Sequence, residues 1–211
     1  MTAAAKGQTA SPVRSARERI VRAARRMFYE RGIRAVGVEA IVAEAGVTKM
    51  SLYRHFVSKD ELVAACLAER VAGFWAWWDA ALARAGPEGD ARAQILAVFE
   101  ALGARATTPG FRGCPMTNAA IEFPEVDHPG RRLSETHKRE LRERLEALGK
   151  GAGARDPAAL ADGLVLLFEG SYASSQTFGP DGPARSVTRA AEALLDAQAC
   201  ALLSTRADNR P

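Results

Sequence analysis

The side chains that most clearly indicate a chemistry lie in residues 46–62 of this 211-residue chain. Leu52 and Phe56 are four positions apart, so a helix turns both towards the same side. The positions around this pair hold hydrogen-bond donors, namely Thr48, Lys49, Tyr53, Arg54 and His55. A short helix with one apolar stripe and donors elsewhere suits a surface that contacts a polyanion. We therefore expect this segment to bind DNA.

Two helices are predicted before this segment. The first, over about 15–31, is indicated by apolar residues at i, i+3, i+4, i+7 and i+8: Ile20, Ala23, Ala24, Met27 and Phe28. A short helix is expected over about 38–45, after which Gly46 takes the positive φ of a tight turn without a Cβ penalty. Together with a third helix over about 48–54, this is the pattern of a helix-turn-helix module.

The remainder of the chain is also predicted to be helical. Ser58 and Glu61 have the spacing of a capping box for a fourth helix that runs to about residue 85. Further helices are predicted over about 90–106, 115–122, 131–148, 157–177 and 184–204, with a flexible break at 149–153. No strand pattern or repeat is present, so the predicted fold is all-α with about nine helices. The expected division is a disordered arm (1–13), a helix-turn-helix domain (14–60), a helical body (61–205) and a tail (206–211).

Composition and charge limit the classes of protein to which the chain can belong. No apolar run approaches the roughly 18 residues of a membrane span, and the first ten residues do not resemble a secretory signal. Cys66, Cys114 and Cys200 are far apart and odd in number, which argues against a disulfide framework or a zinc site and fits a reducing cytoplasm.

Residues 1–60 hold 12 Lys/Arg and 5 Asp/Glu, whereas the rest of the chain holds 17 Lys/Arg and 20 Asp/Glu. The basic N-terminal part, called the head below, is therefore expected to contact a polyanion. Charged side chains on solvated helix surfaces would give the same balance.

Three segments resemble the N-terminal motif of the TetR/AcrR family of bacterial transcriptional regulators: IVAEAGVTK (41–49), LYRHF (52–56) and SKDEL (58–62). The resemblance is close over about 14–65, and beyond that it rests on the number and length of the helices. It implies a homodimer whose recognition helices enter successive major grooves of a pseudo-palindromic operator. It also implies a small-molecule effector that binds in the body and changes the spacing of the two heads.

The resemblance assigns roles to individual residues. Tyr53 and His55 match positions that grip DNA phosphates. Lys59 matches a lysine at the start of the fourth helix that also meets the DNA backbone. Thr48 and Lys49 match positions that reach bases or nearby phosphates.

Two residues depart from the family pattern. Met50 stands where a small glycine is common, and it either contacts a thymine methyl group or fills space. Gly37 stands where a hydroxyl residue often caps the second helix, so it offers no side-chain hydroxyl to a phosphate. Arg54, also on the reading helix, is expected either to read guanine by a bidentate bond worth about 1–3 kcal/mol of discrimination or to anchor a phosphate.

Candidate effector-binding residues lie in the body: Trp75, Trp78, Phe99, Cys114, Met116, Asn118, Glu122, Phe168 and Tyr172. Core packing is the alternative for the tryptophans, and Asn118 and Glu122 either face a pocket or bond each other. No cofactor or metal is expected, because the available metal-ligand types suit no tight template: Glu125, Asp127, His128 and His137.

The sequence therefore predicts a ligand-responsive DNA-binding regulator, most simply a repressor that a small molecule releases from its operator. The helices at about 157–177 and 184–204 are expected to form a four-helix homodimer interface. A redox-responsive regulator acting through Cys114 and an effector-independent architectural DNA-binding protein remain alternatives. An enzyme is disfavoured, because the chain has no glycine-rich phosphate loop, Gly-x-Ser-x-Gly elbow or His-Glu-x-x-His motif.

Overall fold

The computed structural model of the chain describes residues 15–86 and 90–199. Within these ranges the chain forms nine α-helices, one 3₁₀ helix and a single isolated β-bridge, without a strand. The predicted all-α class is confirmed. The predicted arm (1–13), the tail (206–211) and Cys200 lie outside the described residues.

The helices follow one another in the order expected from the sequence. Their bounds are α1 (Ala16–Arg31), α2 (Val38–Ala45), α3 (Lys49–His55), α4 (Lys59–Ala83), α5 (Ala91–Ala106), α6 (Pro115–Glu122), α7 (Pro129–Gly151), α8 (Pro157–Phe178), the 3₁₀ turn Pro183–Ser186 and α9 (Val187–Gln198). None of these helices is long and apolar enough to cross a membrane.

Side chains cap the starts of several helices, including α3 and α4. Thr48 Oγ1 accepts from the backbone N–H of Ser51 (3.1 Å) at the start of α3. Ser58 Oγ accepts from Glu61 N–H (3.1 Å) at the start of α4. The predicted capping box is half formed, because the Glu61 carboxylate accepts from Val57 N–H at 2.6 Å and bypasses the backbone of Ser58.

The predicted flexible break at 149–153 was wrong over its first half. Gly149 lies inside α7 and is buried. A Cβ there would lie 3.3 Å from Leu160 Cδ2 and 3.6 Å from Pro157 Cα, so this glycine permits close packing of α7 on α8. The last helix also begins later than expected, at Val187, because the preceding residues form the 3₁₀ turn.

Two groups of buried side chains organise the fold. The head cluster joins α1, α2 and α3 to the first half of α4, which contributes Leu62 and Leu67, and to Phe123 after α6. The body cluster joins the second half of α4, including Trp78, to α5–α9. α4 therefore belongs to both clusters, and α6 lies beside both, because Ala119 packs in the first cluster and Met116 in the second.

Candidate nucleic-acid interface and adjoining cavities

Helix α3 is anchored on one side and free on the other. Leu52 is fully buried and Phe56 is 1% exposed, so both hold the helix against the head cluster. On the opposite side, Met50 is 75% exposed and Tyr53 is 45% exposed. The remaining donors on this surface, Arg54 and His55, are exposed as well. The apolar stripe predicted from the sequence is thus confirmed, and the donors share an open surface.

The turn before α3 fixes the angle at which this surface is presented. Gly46 has φ +62° and ψ +43°, the left-handed region in which a Cβ is strained. Its carbonyl accepts a hydrogen bond from Arg19 Nη1 of α1 at 3.3 Å. Val47 N–H bonds Val42 O at 3.0 Å, which closes the end of α2. The turn is therefore braced by α1 and α2 together.

Lys49 at the first position of α3 is paired across the turn. Its Nζ lies 2.6 Å from Glu39 Oε1 on α2, and both groups are exposed. The hydrogen bond from Lys49 lowers the pKa of Glu39, and the same bond raises the pKa of Lys49. Both groups therefore stay charged at neutral pH. Glu39 was missed by sequence reasoning, although an acidic residue beside a predicted reading helix is a usable signal.

Lys59 points towards the protein. Its Nζ donates to the backbone carbonyl of Ile33 at 2.7 Å and lies 5.9 Å from the centre of the Phe28 ring. Burial lowers the pKa of Lys59, against the opposing influence of Asp60 and Glu122. The phosphate contact predicted for Lys59 remains a prediction, and it requires this side chain to leave the Ile33 carbonyl.

Two narrow cavities meet beside the head. The head-side cavity is lined by Arg25, Phe28, Tyr29, Ile33, Val63, Cys66, Leu67, Arg70, Pro115, Asn118 and Glu122. The body-side cavity is lined by Arg70, Phe74, Arg105, Phe111, Gly113, Cys114, Pro115, Met116 and Tyr172. The first cavity has a volume of about 30 Å³ and the second a volume of about 10 Å³. Arg70 and Pro115 border both, so the cavities adjoin.

The nine predicted effector-binding residues fall into three places. Cys114, Met116 and Tyr172 line the body-side cavity. Asn118 and Glu122 line the head-side cavity without bonding each other, because Asn118 Nδ2 donates to Arg112 O and Glu122 accepts from the backbone of α1–α2. The other four pack within the body cluster, in the part of the chain that the structure describes, and border neither cavity: Trp75, Trp78, Phe99 and Phe168.

Cys114, in the wall of the body-side cavity, also belongs to a polar group. Its Sγ is 3.4 Å from Lys138 Nζ, and Lys138 forms an ion pair with Glu169. Burial opposes the charge on Lys138, but Cys114 and Glu169 outweigh it and raise the pKa of this lysine. By contrast, burial raises the pKa of the Cys66 thiol to about 12, so Cys66 stays protonated.

His137 is buried among aromatic rings. Its ring centre lies 4.7 Å from that of Phe74 and 5.2 Å from that of Trp75. Burial, followed by Lys138 and Arg144, lowers the pKa of His137 to about 4, so the ring is neutral at pH 7. Among the described residues, no three His, Cys, Asp or Glu side chains converge as metal ligands.

Sequence reasoning also missed the two arginines of the body-side cavity. Arg70 lies four residues before the buried Phe74, on the apolar stripe of α4 that includes Cys66 and Leu67. A charged residue on such a stripe was a readable signal. Arg105 at the end of α5 gave no comparable signal, since basic residues are common in the last turn of a helix.

Comparison with known proteins covers both the head and the whole fold. Residues 20–66 match the sequence model described as bacterial regulatory proteins, tetR family. The crystal structure of a TetR-family transcriptional regulator from Streptomyces coelicolor is 34% identical, with a TM-score of 0.82, over 88% of this chain and 96% of that one. A TetR-type regulator structure from Streptomyces avermitilis is 38% identical, with a TM-score of 0.78, over 88% of this chain and 98% of that one.

A curated relative matches about a third of the chain. The HTH-type transcriptional repressor KstR2 of Mycobacterium tuberculosis is 41% identical over 70 residues, which are 33% of this chain and 33% of the relative. The match thus spans about a third of the length of that repressor.

Proposed function

Because the chain belongs to the TetR family of bacterial transcriptional regulators, we propose that it binds a specific operator as a homodimer and releases it on binding a small molecule. It is a regulator and not an enzyme. The repressor role is the simplest form of this proposal, and the name of the Mycobacterium tuberculosis relative supports it. The cytoplasm is the proposed site of action, since the operator lies there.

The observation that carries the DNA-binding proposal is the open donor surface of α3. Tyr53 and His55 supply donors for phosphates, which position the protein without reading sequence. Arg54 and Met50 are the proposed base readers, since a guanidinium pairs with guanine and a thioether chain packs on a thymine methyl group. Thr48 caps α3 through its oxygen, so its hydroxyl proton remains free to donate to DNA.

The homodimer proposal rests on the outer surface of α8 and the turn before α9. Leu166 is 71% exposed and Phe178 is 63% exposed, which is unusual for large apolar side chains on packed helices. Leu167 and Pro183 continue this surface along an open groove. A twofold contact here would bury these side chains and pair the two heads.

Effector control is supported by contacts that join α6 to the head. Tyr29 Oη accepts from Arg112 N–H at 2.8 Å and donates to Gly113 O at 3.3 Å. Glu122 Oε1 accepts from Ile33 N–H at 2.9 Å. Because the same residues border the cavities, a ligand that widens a cavity also moves the head.

The experiment is selection of genomic fragments by the purified protein, followed by titration of a selected fragment and of random DNA of equal length. A specific regulator binds the selected fragment about 10³-fold or more tightly at physiological salt. Equal affinity for both DNAs would contradict the proposal and favour the architectural class.

A second candidate is redox control through Cys114, whose Sγ lies 3.4 Å from Lys138 Nζ beside the body-side cavity. Hydrogen peroxide would transfer one oxygen atom to Sγ, giving a sulfenic acid and releasing water. Operator binding by the wild type and by Cys114→Ala is then compared with and without hydrogen peroxide. Release that the substitution abolishes supports this candidate, and equal responses of the two proteins exclude it.

A further inference from the structure

Two arginines face the body-side cavity without a carboxylate partner. Arg70 and Arg105 both line it, and neither lies within 4.0 Å of an acidic side chain in the described residues. Several other basic side chains of the body do have such a partner, as in Arg142–Asp162, Arg92–Asp196 and Lys138–Glu169. Among the described residues, the positive charge on this cavity wall therefore has no acidic side chain to pair with it.

Arg70 is the more constrained of the two. Its Nε is buried and has no hydrogen-bond partner, and its guanidinium stacks on the Tyr29 ring with 5.0 Å between Cζ and the ring centre. Burial lowers the pKa of Arg70, and the like charges of Arg25 and Arg105 lower it further. An arginine nevertheless stays protonated in proteins, so this position holds an unpaired cation in a partly desolvated site.

The remaining walls are apolar. Phe74, Phe111 and Met116 border the body-side cavity. Phe28 and Leu67 border the head-side cavity. Because Arg70 lies at the junction of the two cavities, one ligand can place a charged end against the guanidinium and an apolar chain along either side.

We propose that the effector is an amphipathic organic carboxylate whose anionic end binds Arg70 and Arg105. The inference rests on the proposed function, because it names the ligand class of the same regulator. A carboxylate accepts two parallel N–H bonds from a guanidinium and supplies the charge that the site lacks. Neutral or cationic ligands of the same shape leave both arginines unpaired.

The site also explains how such a ligand acts. Both cavities are too narrow for more than a few atoms, so an alkyl chain has to push α6 and the 110–114 segment away from α1 and α4. Tyr29, which stacks under Arg70, bonds the backbone of Arg112 and Gly113. Widening therefore breaks the Tyr29 bonds and frees α1 of the head.

The test uses the full chain and three probes of equal length: decanoate, 1-decanol and decyltrimethylammonium, each below its micelle concentration. Binding is followed by tryptophan fluorescence and by calorimetry. We expect decanoate to bind at least about 10-fold more tightly than the other two, as charge-assisted hydrogen bonds imply. Equal binding of decanoate and 1-decanol, or no binding of decanoate, would overturn the inference.

Variants locate the site. Arg70→Met and Arg105→Met should each weaken decanoate binding about 10- to 100-fold and leave 1-decanol unchanged. Arg70→Lys keeps the positive charge and should lose less decanoate affinity than Arg70→Met. This second variant keeps the test valid if Arg70→Met fails to fold. Arg84→Met, at an exposed position at the end of α4, is the matched control and should bind as the wild type does. Unchanged decanoate affinity in Arg70→Met and Arg105→Met would refute the assignment.

Operator release separates this inference from the proposed function. If decanoate binds through Arg70 but the protein stays on its operator, the carboxylate site is supported and effector control is contradicted. If 1-decanol releases the protein from its operator as effectively as decanoate does, effector control is supported and the carboxylate site is contradicted.

Discussion

Glu122 Oε1 on α6 lies 2.9 Å from the backbone nitrogen of Ile33 in the α1–α2 connection, 89 residues earlier in the chain. Its second oxygen accepts from Arg34 N–H at 2.7 Å. One carboxylate thus satisfies two backbone donors at the end of α1. Because α6 also borders both cavities, this carboxylate links the cavity walls to the head.

Replacing Glu122 should loosen this link. In Glu122→Gln the amide presents one oxygen and one N–H₂ group, so one backbone donor loses its acceptor. We expect a loss of about 1–2 kcal/mol in the free energy of unfolding and a smaller effect of the effector on operator affinity. Glu125→Gln is the control, since its exposed pair with Arg34 at 3.5 Å should contribute little. Equal denaturation midpoints for the two variants would argue against the link.

The donors of α3 should separate into two classes. Tyr53→Phe removes a phosphate donor and should weaken operator and random DNA alike. Arg54→Ala should change the preferred base at one operator position, by about 1–3 kcal/mol. Titration of the operator, its single-base variants and random DNA distinguishes the two. Uniform weakening by Arg54→Ala would reassign this arginine to a phosphate.

The outer surface of α8 should hold the homodimer together. Leu166→Glu places a charge on the exposed apolar surface, so we expect a shift towards monomer and a loss of operator binding. Sedimentation at micromolar concentration measures the shift. Ala76→Glu, at an exposed position of α4, is the control and should stay dimeric. A wild-type chain that sediments as a stable monomer would refute the dimer itself.

His137 should make stability fall in mild acid. Its pKa is lowered to about 4 in the folded protein, against about 6.5 when unfolded, so the unfolded state binds the proton first. The resulting loss in the free energy of unfolding grows as the pH falls from about 6.5 to about 4 and is constant below that. Between pH 7.5 and 5 it should reach on the order of 2 kcal/mol per subunit. In His137→Leu this part of the pH dependence should vanish in denaturant titrations. Parallel pH profiles of the wild type and the variant would contradict burial of a neutral imidazole.

Short-range patterns were sufficient to predict the reading helix. The spacing of Leu52 and Phe56 defined its buried side, and Gly46 defined the turn before it, since both effects act within a few residues. The direction of Lys59 was not predictable, because a flexible side chain chooses among partners that only the fold brings near. The contact of Glu122 with Ile33 depends on packing across 89 residues, which no local pattern encodes.

The cavities show the same limit. Cys114, Met116 and Tyr172 lie together at one cavity. The predicted effector-binding set also contained aromatic residues that pack in the core, such as Phe99 and Phe168. Periodicity identifies which residues are buried, but it does not separate a cavity wall from a filled core. Arg70 was visible as a charge on an apolar stripe, whereas its lack of a carboxylate partner emerges only from the assembled helices.

The protein is expected to bind DNA as a dimer that reads sequence, and one measurement tests this directly. The measurement is a footprint of the purified protein on a fragment selected from its own genome. Two heads of a homodimer should protect two related half-sites whose centres lie about one helical turn apart, roughly 10 base pairs, with twofold symmetry between them. Protection that spreads along the fragment without half-sites, or a single protected half-site at saturation, would contradict a dimeric, sequence-reading regulator.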